Sequence, residues 1–312
     1  MQQKPIKFGT DRISLSTDYK NSKHGGFFDL GDWGVIQISG PDALTYLQRM
    51  STTQFKNLSI GQSLPGAFLS GKGGLLAWGD FFRSDEQSFF FVVSSGQLHS
   101  ALQHLEMFHF QEKLEIKDES LSWSLVGLWK TSEAISGPHW LDFKRKSLQY
   151  VLTPKQTVEE LFQQWVQRGL FRLGMPLFHY LRVLHGIPWM GWEVHPGELV
   201  LEAGLDAVVA RNKGCYPGQE VVERIFTYGQ VNRKLFQVEI ESEKEIEWLE
   251  SPKEIKMDHD TPGHLLSVIP NPEHLKKAVG LAMIKKSFWE DKRRFDLGAS
   301  EQVFLAASNT HT

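Results

Sequence analysis

Between residues 34 and 40, Val35, Ile36 and Ile38 sit among small and polar residues, the pattern of a short strand. Gly40-Pro41-Asp42 then predicts a helix start, because proline suits the first helical position. Ala43, Leu44, Tyr46, Leu47 and Met50 follow at helical spacing. A new unit is expected after Thr53: residues 61–82 predict a strand, a turn at Gly71-Lys72-Gly73-Gly74 and a second strand, and 89–93 predict another. Leu98, Ala101, Leu102 and Leu105 mark one face of an amphipathic helix. Strands, hairpin and helix together predict a small α+β subdomain inserted into a first domain. Beyond it, residues 122–128 are strand-like. Thr157 with Glu160 predicts a capping box, ahead of an apolar stripe of Val158, Leu161, Phe162 and Trp165. The stretch 241–260 is rich in charge, with Glu241, Glu243, Glu245, Glu247, Glu250, Lys253, Glu254, Lys256, Asp258 and Asp260. It reads as a solvated strand-and-loop region rather than a binding tail. Strand patterns resume at 265–268 and 278–282 and predict a C-terminal β unit. No internal repeat or low-complexity tract is present.

Composition narrows the class. At 312 residues the length alone suggests about two domains. With 41% hydrophobic and 23% charged residues the chain can build a large core, which excludes a disordered or fibrous protein. Thirty-four basic and 37 acidic residues give a formal charge of −3, against a broad basic surface for nucleic acid. Residues 1–10 carry lysines but no apolar core, so no signal peptide is expected. No stretch approaches the ~18 apolar residues of a membrane span. The single cysteine, Cys215, excludes an internal disulfide framework and fits a reducing compartment, so a cytoplasmic location is expected.

That cysteine lies in the run Lys213-Gly214-Cys215-Tyr216-Pro217-Gly218-Gln219-Glu220. Two glycines bracket the thiol and let the backbone turn tightly. Pro217-Gly218 marks a turn, and the residues after it read as the first turns of a helix. A neighbouring lysine and a helix N-terminus both favour thiolate. On this basis the residue is a nucleophile, a redox sensor, a single metal ligand or a small buried side chain in a tight turn.

The run Lys-Gly-Cys-Tyr-x-Gly-Gln-Glu resembles the signature of the YgfZ family, folate-binding proteins linked to iron–sulfur cluster assembly and tRNA modification. These are relatives of the aminomethyltransferase (T-protein) of the glycine cleavage system. The resemblance extends to Asp32-Trp33-Gly34, to Ile38-Ser39-Gly40-Pro41-Asp42-Ala43 with Tyr46-Leu47-Gln48, and to Gly71-Lys72-Gly73. Arg182, Gly186-Ile187-Pro188 and Leu201-Glu202-Ala203-Gly204-Leu205 resemble the lead-in to the cysteine motif. It covers about residues 28–235, and extends weakly to the C-terminus through Gly280-Leu281-Ala282.

The resemblance implies an α+β, three-domain, aminomethyltransferase-like ring. Residues 1–53 and 119–231 would form a discontinuous folate-binding domain, 54–118 the inserted α+β subdomain, and 232–312 a C-terminal β-barrel. It implies tetrahydrofolate or a derivative as ligand, with iron–sulfur assembly proteins and client enzymes as partners. No membrane and no direct tRNA contact are expected. Cys215 would be the functional thiol, Lys213 would keep it anionic, and Gln219 and Glu220 would fix the motif. Trp33 and Phe178 would line a folate pocket, although Phe178 also reads as ordinary core. Arg182 would pair with a folate carboxylate or form a structural ion pair.

The transferases carry an aspartate where Ala101 falls here, and a glutamate where Leu184 falls. Alanine offers no general acid or base. Both departures point to a non-catalytic accessory factor, with a folate-dependent aminomethyl transferase as the alternative. His99, His104 and His109 recur every five residues, about 140° apart on a helix, and do not converge on a metal. His179 and His185 read as core or surface, His259 and His264 lack a companion cysteine, and Trp189 and Trp192 read as core. No resident metal site is expected.

Overall fold

The computed structural model describes residues 12–130, 141–145, 148–229, 231–249, 251–257, 259–289, 294–298 and 301–305. Residues 1–11, Glu250 and Asp258 lie outside these.

Helix α1 (Arg12–Asn21) precedes strands β1 (Gly26–Leu30) and β2 (Gly34–Ser39) and helix α2 (Ala43–Met50). Then come β3 (Ser63–Leu69), β4 (Leu75–Arg83), β5 (Ser88–Val93), α3 (Leu98–Met107), β6 (Glu115–Asp118) and β7 (Trp123–Trp129). Strands β8 (Leu141–Arg145) and β9 (Leu148–Pro154), helix α4 (Val158–Gln167), strand β10 (Phe171–Leu173) and helices α5 (Met175–Leu184) and α6 (Gln219–Tyr228) lead to the C-terminal strands. These are β11 (Arg233–Ser242), β12 (Lys253–Met257), β13 (Asp260–Pro270), β14 (Lys277–Lys285), β15 (Arg294–Gly298) and β16 (Glu301–Leu305). The strand, hairpin and helix patterns read between 34 and 105 thus fall on β2, α2, β3, β4, β5 and α3.

Among the described residues the strands form three sheets. One runs β10-β1-β7-β9-β8, a second β3-β4-β5-β2-β6, and the last six strands close into a barrel. The second sheet is buried on both faces. Ala77 and Phe81 of β4 join Tyr46, Leu47 and Met50 of α2 and Ala101 and Leu105 of α3 in one core. Trp78 and Phe82 of the same strand join Phe28, Leu125 and Tyr150 of the first sheet and Phe178 of α5 in the largest core. The period of two along a strand separates these sets. It also puts Asp80, between Trp78 and Phe82, on the face toward the first sheet. Leu161, Phe162 and Trp165 of α4 cover that sheet's outer side at Phe27, Val126 and Val151.

Two expectations change. Strand β2 hydrogen-bonds to β5 and β6 and α2 packs on the same sheet, so a junction at residue 54 divides this unit. Thr157 stands at the N-cap of α4 without a side-chain cap, because its hydroxyl donates to the Pro154 carbonyl at 2.8 Å. Glu160 instead accepts from Gln164 at 3.4 Å, so no capping box forms.

Candidate functional site

Cys215 is a free, exposed thiol four residues ahead of α6, near the end of the long connection from α5. Gly214 has φ +98° and Gly218, the N-cap of α6, has φ +81°, both in the region that favours glycine. A Cβ on Gly218 would meet the Ser70 carbonyl at 2.5 Å and Gly73 Cα at 2.8 Å. The cysteine loop therefore seats directly on the β3–β4 hairpin turn. The thiol opens on a groove of ≈ 630 Å³ that Arg49, Met50, Phe108, Phe110 and Glu112 also line. Phe108 and Phe110 are exposed at 38% and 80%, an apolar part of the groove that holds the only cysteine. Arg49 is paired with Glu112, and that guanidinium with the backbone N–H of Phe110 holds the Glu112 carboxyl down at about 2.

Lys213 takes a different course from the expected one. It is buried, and its ammonium donates to the carbonyl of Gln48 at 2.6 Å and to that of Ser51, at the C-terminal end of α2. The Tyr216 ring faces it at 5.0 Å. Burial pushes the amine down to about 7. The carbonyls and the negative end of the helix act in the opposite sense. The hydrogen bonds of Lys213 thus anchor the loop to α2, and its ammonium faces inward while the thiol faces solvent. Tyr216 is buried beside it, its hydroxyl finds no hydrogen-bond partner among the described residues, and burial with the nearby Glu223 raises it to about 12.

A second feature is an aromatic cleft lined by Trp33, Tyr150, Phe178, Trp189, Trp78 and Asp80. Trp33 and Trp189 meet edge to face at 5.6 Å, and Phe178 meets Trp189 at 6.1 Å in the same way. Trp33 and Phe178, the two aromatics expected to line a folate pocket, both line this cleft. Arg182, also on its lining, is 2% exposed and makes a bidentate pair with Glu193 at 3.0 and 2.9 Å. Its Nε donates to His179 Nδ1 at 2.7 Å, which leaves the imidazole proton on Nε2. Of the two roles open to Arg182, the structural ion pair is the one formed. Glu193 also accepts from the Trp189 backbone N–H at 2.7 Å, so the pair positions that tryptophan. Burial drives His179 well below its ordinary value. His99 is exposed while His104 is buried against the Met50 carbonyl at 3.4 Å. Among the described residues no group of three His, Cys, Asp or Glu side chains could hold a metal ion.

The sequence reading missed Asp80, 4% exposed on the cleft wall, and took Trp189 for core. For Asp80 the signal was its phase with Trp78 and Phe82. Gln219 and Glu220 begin α6 next to the thiol loop, and other residues form the cleft. Flat aromatic walls and one buried carboxylate match the chemistry of a pteridine. The free space is only ≈ 20 Å³, room for about one water. The cleft would have to open to admit a pteridine, and Trp33 and Trp189 on its lining are partly exposed.

Residues 19–151 match the GCVT N-terminal domain. The chain is 24% identical over 258 residues to a mitochondrial iron–sulfur cluster assembly factor, an IBA57 homologue, of Dictyostelium discoideum, covering 68% of this chain and 62% of the relative. It is 26% identical over 238 residues to the tRNA-modifying protein YgfZ of Hamiltonella defensa, covering 66% and 67%. The chain spans only 54–62% of the length of the first curated relatives it matches. Its fold is that of the glycine cleavage aminomethyltransferase T of Bartonella henselae, with a TM-score of 0.78 at 16% identity over 93% of this chain and 88% of that one. No described helix is long and apolar enough to cross a membrane.

Proposed function

We propose that this chain, a YgfZ-type protein related to the glycine cleavage aminomethyltransferase, is a folate-binding accessory factor for assembly or repair of iron–sulfur enzymes, including those that thiolate tRNA. The observation that carries this reading is the exposed Cys215 thiol on a loop clamped against α2 and the β3–β4 turn, in a groove with an apolar part that suits a protein partner. One cysteine provides one thiolate, whereas cluster sites commonly use four. Cys215 therefore works with a partner's thiols, as one ligand to a cluster in transit or as the attacking thiolate in an exchange with a partner's disulfide.

Trp33, Phe178 and Trp189 hold the pteridine of a tetrahydrofolate by stacking, with Asp80 among the polar groups at the cleft, beside Ser94, Gln97 and Arg182. The bound folate supplies one-carbon chemistry; the chain's residues bind it, orient it and exclude water. The fold units behind this are residues 34–118 as one sheet-and-helix body, the first sheet with α1, α4 and α5 as another, and the barrel, 233–305, as a third. The reducing environment that Cys215 needs is cytoplasmic.

Asp80 favours a second reading, aminomethyl transfer, since it brings a carboxylate to the cleft although Ala101 is sealed in the α3 core. Titration of tryptophan fluorescence with tetrahydrofolate, alongside an assay for aminomethyl-donor turnover, separates the readings. The accessory reading expects saturable quenching that Trp33→Ala weakens, and no turnover. Turnover that survives in Cys215→Ser would install the transferase in its place, and absence of quenching would remove the folate.

A further inference from the structure

The loop that carries Cys215 is held by a reciprocal pair of hydrogen bonds. The Gln48 side-chain Nε2 donates to the Lys213 carbonyl at 2.8 Å, while Lys213 Nζ donates to the Gln48 carbonyl at 2.6 Å. The other amide atom, Gln48 Oε1, accepts the Phe55 backbone N–H at 2.8 Å. The side-chain amide thus gives a donor to one neighbour and an acceptor to the other. Lys213 also takes up the Ser51 carbonyl, and so satisfies acceptors at the C-terminal end of α2. Gly218 pins the far side of the loop against Gly73, which leaves residues 214–217 as the span that carries the thiol.

We infer that Gln48 and Lys213 are positioning residues: their clasp presents the Cys215 thiol to the groove lined by Phe108 and Phe110. This rests on the reading of Cys215 as the working thiol, but it assigns Lys213 a different part from the one its place in the motif suggests. A lysine two residues from a cysteine invites the view that its charge sustains the thiolate. In the folded chain the ammonium is aimed at main-chain oxygens, and what reaches the thiol is loop geometry. The clasp also gives Gln48, a residue on a different element, a part in the site.

The test uses the full chain and two maleimides that differ in bulk and aromaticity. Rates of Cys215 modification by N-phenylmaleimide and N-ethylmaleimide are compared in wild type, Gln48→Glu and Lys213→Met. Gln48→Glu keeps the acceptor for Phe55 and loses the donor to Lys213. In the wild type the aromatic reagent gains from the groove, so its rate ratio exceeds that of free cysteine. Both variants are expected to lower the ratio by about three- to tenfold, the scale of one lost hydrogen bond. The pH midpoint of the reaction stays that of the wild type, and faster amide exchange is confined to residues 211–217.

A midpoint that rises in Lys213→Met overturns the inference, since it would mean that charge acts on the thiol. An unchanged ratio in either folded variant, or a wild-type ratio equal to that of free cysteine, does the same. So does exchange that quickens evenly through the core. Where Lys213→Met does not fold, Gln48→Glu decides alone. None of these readouts depends on iron–sulfur activity, so failure of the clasp and failure of the thiol's proposed role are told apart.

Discussion

Lys213 stands two residues from Cys215 in the chain and on the other side of the loop in space. One is buried against carbonyls and the other exposed. Its amine falls from an ordinary 10.5 to about 7 through burial. Between those values the unfolded chain binds a proton that the folded chain releases, so folding stability rises with pH across that window and levels off below it. Wild type is expected to gain on Lys213→Met by at most about 1.4 kcal/mol per pH unit from pH 7 to pH 10, read from urea midpoints. A difference that stays flat over this range would mean that the two carbonyls hold the charge fully. Spacing placed Lys213 beside the thiol because it records neighbours along the chain, and the hydrogen bonds of Nζ to the Gln48 and Ser51 carbonyls could not be read from it. For Arg182 a structural ion pair was one of the two expected roles, but spacing did not identify its partner, Glu193, nine residues beyond the end of α5. A lone Asp80 in an apolar strand likewise gave no reason to be noticed until the phase of β4 set it on the cleft side.

At the scale of elements, periodicity was a sound guide where one face was apolar and the other wet. Helices α2 and α3 were visible in this way, whereas the strands β2 to β5, covered on both faces, were visible as short apolar runs between turn residues. Periodicity failed where a backbone contact decided the outcome. The capping box at Thr157 lost to a hydroxyl bond within the preceding turn, and the junction at residue 54 lost to the pairing of β2 with β5 and β6. The contact between Gly218 and the β3–β4 turn belongs to this class. Gly218→Ala would place a Cβ 2.5 Å from the Ser70 carbonyl at a φ of +81°, so the turn and the start of α6 must part. A loss of about 1–3 kcal/mol is expected, by analogy with residues forced into sparsely populated backbone regions. Urea denaturation checks it, with amide exchange that quickens at residues 70–74 and 214–220 first. A variant as stable as the wild type would show that the loop is not seated on the turn.

The whole molecule was the least legible level. Length suggested two domains, whereas the sheets are three, because the first and second sheets share one large core while each keeps its own second face. Resemblance in the motif, not composition, carried the expectation of a transferase-like fold, and the likeness to the Bartonella henselae structure bears out that fold. The aromatic cleft and the thiol groove have distinct linings, and in the proposed function one takes folate while the other meets a protein. Their joint purpose is tested in a cell that lacks its own member of the family, by the activity of an iron–sulfur enzyme that thiolates tRNA. Wild type is expected to restore that activity, and Cys215→Ser, folded and present at equal abundance, to leave it near the deficient level. Full restoration by Cys215→Ser would contradict the role proposed for the thiol.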